Sequence, residues 1–150
     1  LVVTALDTAS NTVSGGANIT VANITRAIQF IEDLDYTATT FCVGYEVLND
    51  LRNIDTFVEY LRRGNTEILD TGYIGVLFGM KVIKVSTNAG MTTTSSYVFD
   101  NRQAYAIAEK RPVTVENFDL PTFDLRAAIV SQRIAVSALR SEAVARITTT

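Results

Sequence analysis

The clearest periodicity lies early in the chain. Ile24, Ala27, Ile28, Ile31 and Leu34 fall on one face of a 3.6-residue helix, and Thr20 stands where an N-cap belongs. The spacing predicts a helix over Val21–Leu34. Asp33 and Asp35 near its end oppose the helix dipole and could form a site, but are read as solvated residues marking the stop. Thr39–Val43 reads as a buried strand and Tyr45–Leu51 as a short helix. Asp55 can cap another helix, Thr56–Arg63, closed by Gly64 in a left-handed conformation. Ahead of all these, Leu1–Ala5 is a short β-prone run and Asp7–Asn18, with its Gly15-Gly16 pair, reads as a surface loop.

In the second half the period shortens. Asn65–Gly75 is irregular, and Val76–Phe78 leads through Gly79 into Met80–Ser86. There Met80, Val82 and Lys84 oppose Lys81, Ile83 and Val85, a strand whose facing stays open. Gly72, Gly75 and Gly79 could suggest a phosphate loop. They lack the Gly-Lys-Ser/Thr ending and are separated by apolar residues, so a strand reversal is the better reading. Thr87–Ser96 is a polar tip, and Tyr97–Asp100 resumes a strand. Tyr105–Glu109 and Pro112–Glu116 read as a hairpin turning at Lys110-Arg111. Asn117–Thr122 is an extended connection, since Pro121 keeps Leu120 out of the helical region.

Phe123–Leu139 carries apolar residues in two phases, first Phe123, Leu125, Ala127 and Ile129, then Val130, Ile134, Val136 and Ala138. A one-residue slip exchanges the faces of a strand. The run therefore predicts a strand that bulges near Val130–Arg133 or passes between two packing environments. A helix through Leu125, Ala128, Ile129, Gln132 and Val136 competes, but it lacks an N-cap and is rich in β-branched residues.

Composition narrows the function classes. The chain of 150 residues, 47% hydrophobic and 19% charged, suits one domain with a real core. No apolar run approaches the ~20 residues that cross a bilayer. A net charge of -3 argues against gripping nucleic acid as the main task. Residues 1–75 hold 4 basic and 10 acidic side chains, whereas residues 76–150 hold 9 and 6, so unlike-charged flanks could meet between copies. Cys42 is the single cysteine and reads as a buried thiol. The absence of histidine excludes histidine-based triads and imidazole metal sites. Glu116, Asp119 and Asp124 are close in sequence without converging, which leaves a carboxylate-dependent enzyme as a minor alternative. No catalytic, cofactor-binding or metal-binding residue is assigned. The two Asn-Ile-Thr glycosylation matches at Asn18 and Asn23 are read as accidental.

Four stretches together carry a family resemblance: FGMKVIKVS, YVFDNRQAYAIAEKRPVTVE, the NFDL to LRAAIVSQRIAV run, and Leu139-Arg140-Ser141-Glu142-Ala143-Val144. In order and spacing this is similar to the end of a tailed-phage major capsid protein of the Hong Kong 97 type, a fold shared with encapsulin shells. Lys81 departs from the proline common two residues after the glycine. The resemblance implies an α+β axial domain, a central mixed or antiparallel sheet flanked by helices, over roughly 1–122. It implies a long C-terminal strand returning to the peripheral domain over 123–150. It further implies a fragment, with Leu1 a cut end, of a shell protein that associates with copies of itself in pentamers or hexamers. Such a protein would enclose nucleic acid only as cargo, touch no membrane, and reside in a virion capsid assembled in the host cytoplasm. An encapsulin-like compartment is the alternative. Candidate capsomer-axis loops are Asn65–Thr71 and Thr87–Ser96, marked by Asn65, Thr66, Thr71, Thr87, Asn88 and Ser96, with Gly64 and Gly79 as turn glycines. Where family members cross-link, the asparagine and glutamate positions fall on Asp124 and Ser131, which implies no self-cross-linking.

Overall fold

The structure, a computed structural model, describes residues 2–54, 73–120 and 125–150. The expected helix Thr56–Arg63, Gly64, Asn65, Thr66, Thr71 and Asp124 lie outside them.

The chain opens with helix α1 (Val2–Leu6) and strand β1 (Asn11–Gly16), where a β-prone run and a loop were expected. Both differences come from distant partners. Leu6 sinks into a cluster with Met91, Tyr97, Phe99 and Val144, and that burial overrides the local preference of Val2-Val3-Thr4. β1 pairs in parallel with β8 (Val144–Thr149), a strand more than 120 residues away. Gly15 lets it lie flat, since a β-carbon there would meet Thr149 Cγ2 at 2.9 Å.

Helix α2 (Val21–Glu32) follows the expected face. Thr20 caps it by accepting the Asn23 N–H, and Ile24, Ala27 and Ile31 are buried. Its end is a left-handed stop at Asp35, φ 61°. The Tyr36 N–H returns to the Ile31 carbonyl and the Asp35 N–H to that of Glu32. Leu34, placed on the apolar face by its spacing, lies past the last helical turn and is exposed. Strand β2 (Thr40–Val43) and helix α3 (Tyr45–Arg52) match the expected elements to within a residue.

β3 (Tyr73–Leu77) and β4 (Met80–Lys84) form a hairpin closed by Phe78 and Gly79, at φ 49° and 80°. Two central residues at positive φ are the geometry of a tight two-residue hairpin turn. The glycine thus serves strand reversal, not phosphate. β5 (Ser95–Phe99) follows a short 3₁₀ turn at Thr87–Ala89. The six strands order as β1-β8-β5-β2-β4-β3, with β1–β8 and β2–β4 parallel and the other pairs antiparallel.

This mixed sheet is covered on both faces. α2 and α3 pack Ile24, Ile31, Val47 and Leu51 against Phe41, Val43, Val82 and Ile147. On the other face α1 and Met91 meet Cys42, Tyr97, Phe99 and Val144. The expected α+β sheet flanked by helices is the architecture found.

The remaining strands form a separate two-stranded ribbon, β6 (Tyr105–Leu120) with β7 (Leu125–Ala138). No turn occurs at Lys110-Arg111. β6 runs straight through and absorbs Pro112 between two register shifts, Glu109/Arg111 and Arg111/Thr114. A residue without an N–H is tolerated where the ladder is already interrupted. The expected division at 122/123 falls between the ribbon's two strands, outside the described residues. The chain leaves the sheet before Tyr105 and re-enters it at Val144, because Val144, Ala145 and Ile147 are buried sheet residues. The competing helix over β7 does not form.

Candidate functional site

The surface feature with the greatest consequence is the ribbon. At ~3.3 Å per residue, 16 residues extend about 50 Å. Ile107, Val113, Val115, Phe118, Ile129, Val130 and Ile134 on it are 40–65% exposed. A two-stranded ribbon is marginal by itself, and an apolar surface of this kind marks an interaction site.

Register shows how the apolar groups are arranged. Ile107 pairs with Val136, Glu109 with Ile134 and Val115 with Val130, which places these residues on one face. Phe118 pairs with Ala127 and Glu116 with Ile129 on the opposite face, nearer the tip. β7 itself has no extra residue, so its apolar phase changes face as the sequence pattern implies. The expected irregularity does fall opposite Ser131–Ile134, but the extra residues belong to β6. The ribbon therefore presents apolar surface on one side towards its base and on the other towards its tip.

Between these patches, at the shifts, Arg111 faces Arg133 across the two strands. Thr114 and Ser131 lie beside them, with the two hydroxyls 2.9 Å apart and Arg111 Nη1 donating to Ser131 Oγ at 3.2 Å. Ser131 is thus a neutral member of this basic waist.

The ribbon is fastened at its base by a corner that the sequence did not reveal as important. Asp100, buried, accepts the Arg102 N–H at 2.9 Å and the Thr37 N–H at 3.4 Å. The Asn101 N–H donates to Thr39 Oγ1, and Tyr105 Oη to Asn101 Oδ1. The Leu139 N–H bonds the Ala104 carbonyl, closing the ribbon's other strand on the same corner. The visible signal was an Asp-Asn pair ending an apolar run, a turn-forming combination. Arg140 reaches Tyr36 Oη at 3.2 Å, an interaction that raises the guanidinium's pKa.

The expected polar tip is only partly one. Thr87 and Asn88 are exposed, and Ser86 Oγ accepts the Asn88 N–H. Ser96 is not at a tip. It is fully buried in β5, paired with Val43 and Ile147, and its hydroxyl has no partner among the described residues. Met91 is buried as well. The Ser/Thr-rich composition concealed a central strand whose alternate neighbours Tyr97 and Phe99 fill the core.

Chemistry is scarce elsewhere. Cys42 is buried, which pushes its thiol up to about 12 and makes it a poor nucleophile. Glu116 is exposed on the ribbon. Among the described residues no group of acidic or thiol side chains could hold a metal ion, and no helix is long and apolar enough to cross a membrane. An open cleft lined by Tyr45, Glu46, Asn49 and Asp50 has its Asp50 carboxylate already bonded to the Ile19 N–H. Asp7 accepts from both Tyr97 Oη and Arg146 Nη1 at 2.9 Å, tying α1 to the sheet. Burial, then that hydrogen bond, raises the Tyr97 pKa to about 12.

No protein-family model matches the chain. A stretch of 86 residues is 33% identical to part of a BTB/POZ domain-containing protein of Acanthamoeba polyphaga mimivirus, 56% of this chain but 17% of that one. Solved structures align far more fully. A structure from Mycobacterium phage Che8 superposes over 95% of this chain and 54% of its own, with TM-score 0.68 and 16% identity. The virus-like particle of Pyrococcus furiosus aligns over 97% of this chain and 59% of its own, with TM-score 0.56 and 14% identity. The capsid of an empty GTA particle covers 93% and 49%, with TM-score 0.55 and 15% identity. The chain thus spans about half the length of the structures it matches. In sheet, helices and ribbon, it carries the fold of Hong Kong 97-type shell proteins.

Proposed function

We propose that this chain is part of a structural shell protein whose copies self-assemble into the capsomers of a closed icosahedral particle. The observation that carries the reading is the ribbon, an apolar surface uncovered on a body whose sheet is otherwise buried on both faces. Shell subunits bury such surfaces against one another, and a ring of five or six copies needs two different, complementary surfaces on each chain. The fold shared with the capsid of an empty GTA particle and the Pyrococcus furiosus virus-like particle supports the same reading. A virion shell assembled in a host cytoplasm is preferred to an encapsulin-like compartment, and nucleic acid is cargo. The shell reading is preferred to a carboxylate-dependent enzyme because the structures that share the fold include a capsid and a virus-like particle.

Within that reading Thr87 and Asn88 remain the candidates for the capsomer axis, where exposed polar turns are tolerated. Asn65, Thr66 and Thr71 are proposed with them from the sequence alone. Electron microscopy of the purified full-length protein tests the proposal. Closed particles of uniform diameter are expected, and a monodisperse monomer at assembly concentrations would refute it.

A further inference from the structure

We infer that the basic waist of the ribbon docks onto the acidic end of α2 in a neighbouring copy. The inference rests on the self-assembly reading above and names the residues of one contact within it.

Two features of the chain are electrostatically unfavourable when it is alone. Arg111 and Arg133 stand directly opposite on one ribbon face, and like charges in that position repel. Lys110 lies beside them at the register shift, and Arg133 has no ion pair among the described residues. The second feature is the end of α2. Glu32, Asp33 and Asp35 are all exposed there, no basic residue occupies the last turn, and none of the three has an ion pair among the described residues. Negative charge at a helix C-terminus adds to the dipole's own.

The two features cannot relieve each other within one chain. The residue that touches the α2 stop is Arg140, bonded to Tyr36 at the ribbon's base. Arg133 stands five residues inside the end of β7 at Ala138, about 17 Å further along the strand. That exceeds any ion-pair distance. A second copy can supply the missing partner to each surface, and because the surfaces differ the contact is head to tail, the kind that closes rings. Planar guanidiniums side by side also suit paired carboxylates, which accept bidentate bonds.

Charge reversal in the full-length protein tests this, read by electron microscopy and sedimentation velocity at about 0.15 M salt. Arg111→Glu/Arg133→Glu and, separately, Glu32→Lys/Asp33→Lys, which spare the left-handed stop at Asp35, are expected to lower the assembled fraction by about tenfold or more with thermal melting unchanged. The chain carrying all four substitutions, with both surfaces exchanged in sign, is expected to recover shells. Recovery no better than either parent would overturn the inference, as would normal assembly of both parents. Loss of enclosed nucleic acid with intact shells in the arginine variant would overturn it too, giving the waist to nucleic acid. If the unmodified chain forms no shells, the self-assembly reading itself fails and takes this contact with it.

Discussion

Gly44 is pressed against the backbone of Thr93. A β-carbon at Gly44 would overlap the Thr93 carbonyl oxygen and lie 2.7 Å from that of Thr92. The segment that looks in sequence like a free polar tip is therefore packed against the turn between β2 and α3. Carbonyl oxygens in a fixed backbone cannot step aside as a flexible side chain would. Gly44→Ala is expected to cost about 1–3 kcal/mol, lowering the melting temperature by roughly 2–12 °C for a domain of this size. Calorimetry checks it, and an unchanged melting temperature would mean that Thr92–Thr93 is mobile after all.

Ser96 gives the opposite expectation. Its buried hydroxyl lacks a partner among the described residues, and an unsatisfied buried polar group is unfavourable. Ser96→Ala should leave stability unchanged or raise it by about 1 kcal/mol in urea denaturation. A loss of that size would show that the hydroxyl is bonded and useful.

At the β3–β4 hairpin, Gly79 sits at φ 80° with open space around its Cβ position, so only backbone conformation penalises a side chain. Gly79→Val is expected to destabilise by about 1–2 kcal/mol, the strain of the left-handed region. Phe78, also at positive φ and half exposed, should gain stability when replaced by Gly. Equal melting temperatures across the three proteins would contradict this turn geometry.

Alkaline pH tests the core below β2. The Cys42 thiol is raised by burial from 9.0 to about 12. Burial and the Asp7 bond raise Tyr97 from 10.0 to about 12. Both groups bind their protons more tightly when folded, so their contribution is whole below pH ~9 and is lost as pH rises towards ~12. Denaturation midpoints should be flat through neutral pH and fall from about pH 9 upward. Cys42→Ala should delay the onset towards pH 10, where Tyr97 begins to matter. A midpoint independent of pH up to 12 would contradict the burial of both.

Much of this fold was legible where local and tertiary signals agree. Thr20 with Ile24, Ala27 and Ile31 specified α2, Thr40–Val43 its neighbouring strand, and Gly79 a reversal. What could not be read depends on partners far away in the chain. Asn11–Gly16 is a strand because β8 lies beside it, and Val2–Leu6 is a helix because Leu6 has a pocket to fill. Ser95–Ser96 look like loop residues yet occupy the middle of the sheet. In the ribbon the change of apolar phase along β7 was visible, but the extra residues on β6 were not, since Lys110-Arg111-Pro112 imitates a turn. Asp100 was overlooked because its partners, Thr37 and Thr39 with Asn101, come together only in the fold.

The central claim is that the ribbon is an assembly surface, and hydrogen exchange on the full-length protein, compared before and after particle formation, tests it most directly. The account predicts that amides of Tyr105–Leu120 and Leu125–Ala138 exchange readily in the unassembled subunit, while those of β2 and β5 are already protected. On assembly the ribbon should gain at least about tenfold protection, greatest around Val115, Ile129, Val130 and Ile134. Particles whose ribbon amides exchange as fast as in the free subunit would contradict it.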